Sequence, residues 1–80
     1  MYYVYIIKSE KTGKIYTGST EDLRKRISEH NIGKVVSTKT LRPWKIIYYE
    51  AFDSKNNARR EELFLKTGKG RERVNWLLKK

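Results

Sequence analysis

Arg26 and His30 stand four residues apart. A helix through them holds both side chains on one face. A guanidinium can fork onto a phosphate through two parallel hydrogen bonds. An imidazole can act near neutral pH as a base, a proton relay or a phosphate donor. Glu62 lies four residues after Ala58 and three before Leu65. On a helix that spacing sets a carboxylate on an apolar face, a position that invites a functional explanation. Tyr5 and Tyr16 add two phenols. A phenol of pKa about 10 is a poor base until nearby cations lower it, and this chain is rich in cations. These groups together suit phosphodiester hydrolysis, which needs an activated water, charge neutralisation on the phosphate and help for the leaving oxygen.

Each group also has a plainer reading. Tyr5 would be a core aromatic, and Arg26 a solvated arginine like Arg24 and Lys25. His30 would sit at a helix C-terminus, where the dipole favours a cation. Glu62 would pair with Lys66 at i+4. Glu61 is the rival carboxylate if the register slides by one.

The elements that must position these groups are short. Tyr2–Ile7 is aromatic and β-branched throughout, and reads as a strand buried on both faces. Residues 9–14 read as a turn in which Gly13 can take positive φ. Ile15–Thr17 closes a hairpin, and Gly18 breaks it. Thr20 is the expected N-cap of a helix reaching about His30, with Glu21 and Asp22 at its positive end and Leu23 and Ile27 as its apolar stripe. Asn31 and Gly33 supply the stop. A loop over 32–43 leads to a third strand, Trp44–Phe52. Ser54 caps a helix over roughly 55–67 that turns Ala58, Leu65 and Phe64 to the sheet, and Gly68 ends it. Thr67-Gly68-Lys69-Gly70 lacks the strand a phosphate loop requires and reads as a helix stop. A third helix over 71–79 is anchored by Val74, Trp76 and Leu77 or Leu78. The order β-β-α-β-α-α predicts a small α+β fold around a three-stranded, largely antiparallel sheet, as a single domain over 1–80.

The 80 residues carry a net charge of +10, and both halves are basic. That balance points to a polyanionic partner, nucleic acid before an anionic membrane. Lys34, Lys39, Arg42 and Lys45, with Lys66, Lys69, Arg71 and Arg73, are candidates for tracking a phosphate backbone. Such contacts give affinity without reading sequence. There is no cysteine, which excludes disulfides, thiolate metal sites and cysteine nucleophiles. The apolar runs are too short to span a membrane, and no signal peptide is evident, so the expected location is cytoplasmic. No G-x-S-x-G, P-loop, G-x-G-x-x-G or H-E-x-x-H motif is present.

Tyr3-Val4-Tyr5 and Tyr16-Thr17-Gly18 fall on the two strands of the expected hairpin. Residues 19–26, His30-Asn31 and Gly33 follow, and then the acidic helix segment 58–71. In this order and spacing the chain resembles the GIY-YIG nuclease superfamily, in particular its short stand-alone members, over nearly its whole length. Tyr3 replaces the glycine that names the first motif, and Thr17 is the middle residue of the second. Short members commonly tolerate both. Many active members carry an asparagine about three helical turns after the metal glutamate; here Val74 falls at that position, with Asn75 one residue later.

The resemblance implies the GIY-YIG fold and an active-site set of Tyr5, Tyr16, Arg26, His30 and Glu62. Glu62 would be the sole protein ligand of one divalent ion. A single carboxylate with several waters suits Mg²⁺ or Mn²⁺. The implied activity is an endonuclease acting on DNA rather than RNA, choosing branched or flapped shapes rather than sequence. Repair, recombination or mobile-element control would suit that chemistry. Most nucleases of this type take specificity from another domain, so here a protein partner would supply it. The alternative is a module that keeps the fold and grips nucleic acid without cutting it.

Overall fold

The computed structural model describes residues 1–79. Its sheet has the order β2-β1-β3, with β1 (Tyr2–Ser9) between β2 (Ile15–Thr20) and β3 (Trp44–Phe52), both antiparallel to it. Alternation along β1 sends Val4 and Ile6 to one face and Tyr5 and Ile7 to the other, and all four are buried. Each face therefore needs its own cover. Val4 and Ile6 pack with Ala58, Leu65 and Val74. Those residues come from α2 (Lys55–Leu65) and α3 (Gly68–Leu77). Tyr5 and Ile7 pack with Trp44, bordered by Tyr16, Leu23, Ile27 and Leu41. That second cover is α1 (Leu23–Asn31) and a 3-10 helix, Val36–Leu41. The expected α+β fold and element order hold, with the 3-10 helix added inside the segment read as a loop.

Several local expectations change. Gly18 does not break β2; the strand continues to Thr20, with Gly18 opposite Tyr5. Asp22 rather than Thr20 caps α1, accepting from the Lys25 N–H at 3.0 Å, while the Thr20 hydroxyl accepts from the Asp22 N–H at 3.1 Å. Gly68 opens α3 instead of ending α2, because Thr67 accepts from the Gly70 N–H at 3.1 Å and caps a new helix. Ser54 caps α2 as expected, accepting from the Asn57 N–H at 3.3 Å. Val74 is an anchor of α3, but Trp76 is 68% exposed, and Phe64 on α2 is 40% exposed. A shift in register between Ile6 and Ile7 makes Ile47 the extra residue of a bulge, so Ile47 and Tyr48 both reach the α2/α3 side.

Two devices fix where α1 and α3 sit. Asn31, at the end of α1, donates to the Trp44 carbonyl at 2.9 Å and accepts from the Trp44 N–H at 2.7 Å. Its amide thus pairs with one residue of β3, as a strand neighbour would. Gly70 lets α3 touch α2: a Cβ there would overlap the Phe64 carbonyl oxygen and approach Leu65 Cα to 2.5 Å. No helix among the described residues is long and apolar enough to cross a membrane. Gly70→Ala must push backbone against backbone, so it should cost about 2–3 kcal/mol. Urea unfolding followed by circular dichroism will show the midpoint falling, whereas Gly68→Ala, with open space at its Cβ, stays within about 1 kcal/mol of wild type.

Candidate active site

The site is built on both sides of edge strand β2. On the α1 side, Tyr5 is almost fully buried and His30 entirely so. The Tyr5 hydroxyl lies 2.8 Å from His30 Nε2, and His30 Nδ1 lies 2.8 Å from Thr38 Oγ1. The Thr38 hydroxyl donates to the Val35 carbonyl at 3.3 Å. Its lone pairs are therefore free to accept from Nδ1–H, which assigns the neutral tautomer with Nε2 as acceptor and the Tyr5 hydroxyl as donor. The Thr38 carbonyl accepts from Trp44 Nε1–H at 2.8 Å, which fixes the 3-10 helix against β3. Tyr16 presents its ring edge-on to His30, with centroids 5.1 Å apart.

Gly18 makes this packing possible. A Cβ at Gly18 would lie 2.5 Å from the Tyr5 hydroxyl and 2.7 Å from its ring. The third residue of the Tyr16-Thr17-Gly18 motif is thus the space into which the Tyr5 phenol fits.

Burial sets the electrostatics. It pushes the Tyr5 pKa up to about 12, against the opposing influence of the Arg26 guanidinium beside it. Burial, helped by the Arg26 charge, pulls the His30 pKa down from 6.5 to about 4. At neutral pH the phenol keeps its proton and the neutral imidazole accepts it in a hydrogen bond at Nε2. Arg26 stands one helical turn before His30 and pairs with Glu29 at 3.2 Å, its side chain 35% exposed. The nearby Tyr5 hydroxyl is the largest influence raising its pKa.

On the α2 side, Ser19 projects opposite to Gly18 and donates to Glu62 Oε1 at 2.6 Å. Arg59 reaches the same oxygen at 3.2 Å, and Lys66 Nζ holds Oε2 at 2.7 Å. Burial, the largest single influence, pushes the Glu62 pKa up. Hydrogen bonds from Lys66 and Ser19, with the charges of Lys66 and Arg59, outweigh it and hold the pKa below the usual range. The two groups flank one strand: Gly18 packs on the Tyr5 phenol and the next residue, Ser19, holds the Glu62 carboxylate.

Of the basic candidates, Lys66 and Arg71 line a groove with Tyr16, and Asn75 lines it too. Val74, at the expected asparagine position, is a core residue, because the break at Thr67 re-phases α3. Lys39 and Arg42 line a separate depression with Lys11 beside the 3-10 helix. Lys34 and Lys69 are exposed and line neither. Ser19, Thr38 and Glu29 are partners that motif spacing did not single out.

Among the described residues no group of three His, Cys, Asp or Glu side chains could hold a metal ion. A closed protein cage is therefore not what these residues offer. They fit a hard cation held by one ionised carboxylate, whose Oε2 is held only by the side chain of Lys66, and otherwise by water and substrate oxygens.

Fold, hairpin motifs and buried Tyr–His pair together define a class. A family model described as the GIY-YIG catalytic domain matches residues 1–75, and the chain belongs to this nuclease family. It is similar to a UPF0213 protein of Staphylococcus saprophyticus, 43% identical over 67 residues that cover 82% of this chain and 80% of the relative. A UPF0213 protein of Staphylococcus haemolyticus is 46% identical over 67 residues, covering 82% of this chain and 80% of its own. The solution NMR structure of a UPF0213 protein from Bacillus halodurans matches with a TM-score of 0.58 and 34% identity, covering 96% of this chain and 85% of the other.

The buried neutral His30 makes a stability prediction. Between pH 6.5 and about 4 the unfolded chain binds a proton there that the folded chain does not. Its contribution is complete above pH 6.5 and is lost as the pH falls through that window. With a shift from 6.5 to about 4, the loss amounts to roughly 3 kcal/mol. Urea unfolding at stepped pH should show this slope in wild type and its absence in His30→Gln.

Proposed function

We propose that this chain is a metal-dependent endonuclease that hydrolyses DNA phosphodiester bonds, selecting substrate by shape rather than sequence. The observation that carries the reading is the buried Tyr5–His30 pair with the Arg26 guanidinium beside it, together with an ionised Glu62 carboxylate held by Ser19 of the edge strand that also packs on Tyr5. Arg26 forks onto the phosphate and neutralises the charge that develops there. Tyr16 lines the groove and positions the attacking water. A Tyr5 phenol of pKa about 12 is ionised in only about one molecule in 10⁵ at pH 7, so it acts as a relay and not as a standing base. Substrate binding would open the rim of β2 and admit the attacking water to Tyr5. The water proton moves to the Tyr5 oxygen as the Tyr5 proton moves to His30 Nε2, and Thr38 steadies the imidazolium. The water oxygen bonds to phosphorus as the bond to the leaving sugar oxygen breaks, and that oxygen takes a proton from solvent. The incoming phosphate, being anionic, raises the His30 pKa toward the range a base needs. Glu62 would hold one Mg²⁺ or Mn²⁺, which supplies charge neutralisation at the phosphate. Lys66 and Arg71 are placed to contact the substrate backbone in the Tyr16 groove, with Lys39, Arg42, Lys34 and Lys69 as outlying contacts. A protein partner would confine the activity to its proper site.

One observation favours the second reading, a binding module that does not cut. Both Glu62 oxygens are already satisfied by protein donors. A labelled panel of duplex, flapped and four-way-junction DNA with matched RNA separates the two. Wild type should cut branched DNA in Mg²⁺ or Mn²⁺ and not in chelator. Glu62→Gln should lower the rate by at least about 10³-fold, the scale of losing one transition-state stabiliser, while its circular dichroism spectrum stays native. Binding across the panel with no product in any metal would establish the module instead.

A further inference from the structure

Glu62 holds two cations where its assigned role calls for a metal. Its carboxylate is buried, with 6% of the side chain exposed, whereas the Lys66 side chain is 46% exposed. The two Glu62 oxygens differ. Oε1 is held by Ser19 at 2.6 Å and Arg59 at 3.2 Å, whereas Oε2 is held by Lys66 alone, at 2.7 Å. A divalent ion approaching Glu62 therefore finds Oε2 covered by one ammonium on a flexible four-carbon stem. Lys66 is the C-cap of α2, outside the rigid helix body. Its Nζ also lies 5.8 Å from the centroid of the Tyr16 ring, and the residue lines the Tyr16 groove with Arg71 and Asn75. The ammonium thus stands between the carboxylate and the groove.

Building on the nuclease reading above, we infer that Lys66 is a displaceable latch that occupies the Glu62 metal position in the free protein and passes to a substrate phosphate when the metal enters. In the free protein the Glu62–Lys66 pair satisfies a buried carboxylate that would otherwise lack a partner at Oε2. A divalent ion held by Glu62 would repel the neighbouring ammonium. The anionic backbone in the groove is the nearest alternative partner. Metal binding and substrate binding then favour each other, because each relieves the same ion pair, and the coupling is reciprocal. Arg59 stays on Oε1 in both states.

The test needs no cleavage. Free Mn²⁺ is measured by electron paramagnetic resonance during titration of wild type, Lys66→Met and Glu62→Gln without DNA. Methionine fills the same stem volume at a half-exposed site, so the fold is preserved. Lys66→Met should bind Mn²⁺ roughly tenfold tighter than wild type, the factor expected when a charge-assisted competitor is removed. Glu62→Gln should lose the site. Equal affinities for Lys66→Met and wild type, with the site lost in Glu62→Gln, would overturn the latch and leave the metal role standing. Wild-type affinity in Glu62→Gln would overturn the metal role and the latch together. The handover to phosphate is read by fluorescence anisotropy with flapped DNA in chelator. Glu62→Gln frees Lys66 and should bind several-fold tighter than wild type, on the scale of one additional lysine–phosphate pair. That increase should vanish when Lys66→Met is added. That double variant has the wild-type net charge, so Glu62→Gln with the exposed Lys8 changed to Met, of equal charge, is the control and should keep the increase. Loss of the increase there as well, or its persistence without Lys66, would overturn the handover.

Discussion

The Tyr5 hydroxyl donating to His30 inside the core is the interaction on which the site is built. It ties the central strand to the end of α1, and through Thr38 to the 3-10 helix. None of the three polar groups faces water, so each must find its partner among the others. That requirement dictates the neighbours. Gly18 must lack a side chain, because the phenol occupies the space where a Cβ would stand. Asn31 must hold α1 against Trp44, and Trp44 must hold the 3-10 helix through Thr38, or the chain of bonds would open. A buried polar network of this kind is costly unless complete, and here the same burial that demands completeness also keeps the imidazole neutral.

The edge strand is the second organising constraint. Successive residues of β2 point to opposite faces, so Gly18 serves the α1 side and Ser19 the α2 side, while the Tyr16 ring lies against His30 and also lines the groove of Lys66 and Arg71. A single short strand thereby brings two separately packed layers to one rim. The carboxylate on α2 and the phenol–imidazole pair under α1 belong to different cores, yet adjacent residues of β2, Gly18 and Ser19, touch both. The surface ion pairs around them, such as Arg26 with Glu29, contribute little to stability at their exposure. Arg26 and Glu29 line a depression together with Ser19, and their pairing holds both side chains there.

Much of this is legible in the residues. The continuous apolar run of β1 announces burial on both faces, and the i, i+4 spacing of Arg26 and His30 places them together on α1. Glu62 on the apolar face of α2 is where its spacing with Ala58 and Leu65 puts it. The missing parts are tertiary. Thr38 sits in a segment of polar, loop-like composition, and only the third dimension shows that it is the second partner of His30. Gly18 looks like a strand breaker by propensity; its role in the sheet depends on a ring from the neighbouring strand. Gly68 looks like a helix stop, but Thr67 caps the next helix immediately, and that re-phasing turns Val74 inward and brings Asn75 to the groove. Hydrophobicity alone assigns Trp76 and Phe64 to the core, and helix rotation leaves them exposed.

The central claim is that the two faces of β2 act as one catalytic site. A double-mutant cycle on single-turnover cleavage of flapped DNA in Mg²⁺ tests it most directly, with Arg26→Ala on the α1 side and Glu62→Gln on the α2 side. Groups that act as a unit lose their effect together. The account predicts that each single variant removes most of the rate and that the double variant is scarcely slower than either. Losses that multiply independently, or a wild-type protein that leaves the flap intact, would contradict it.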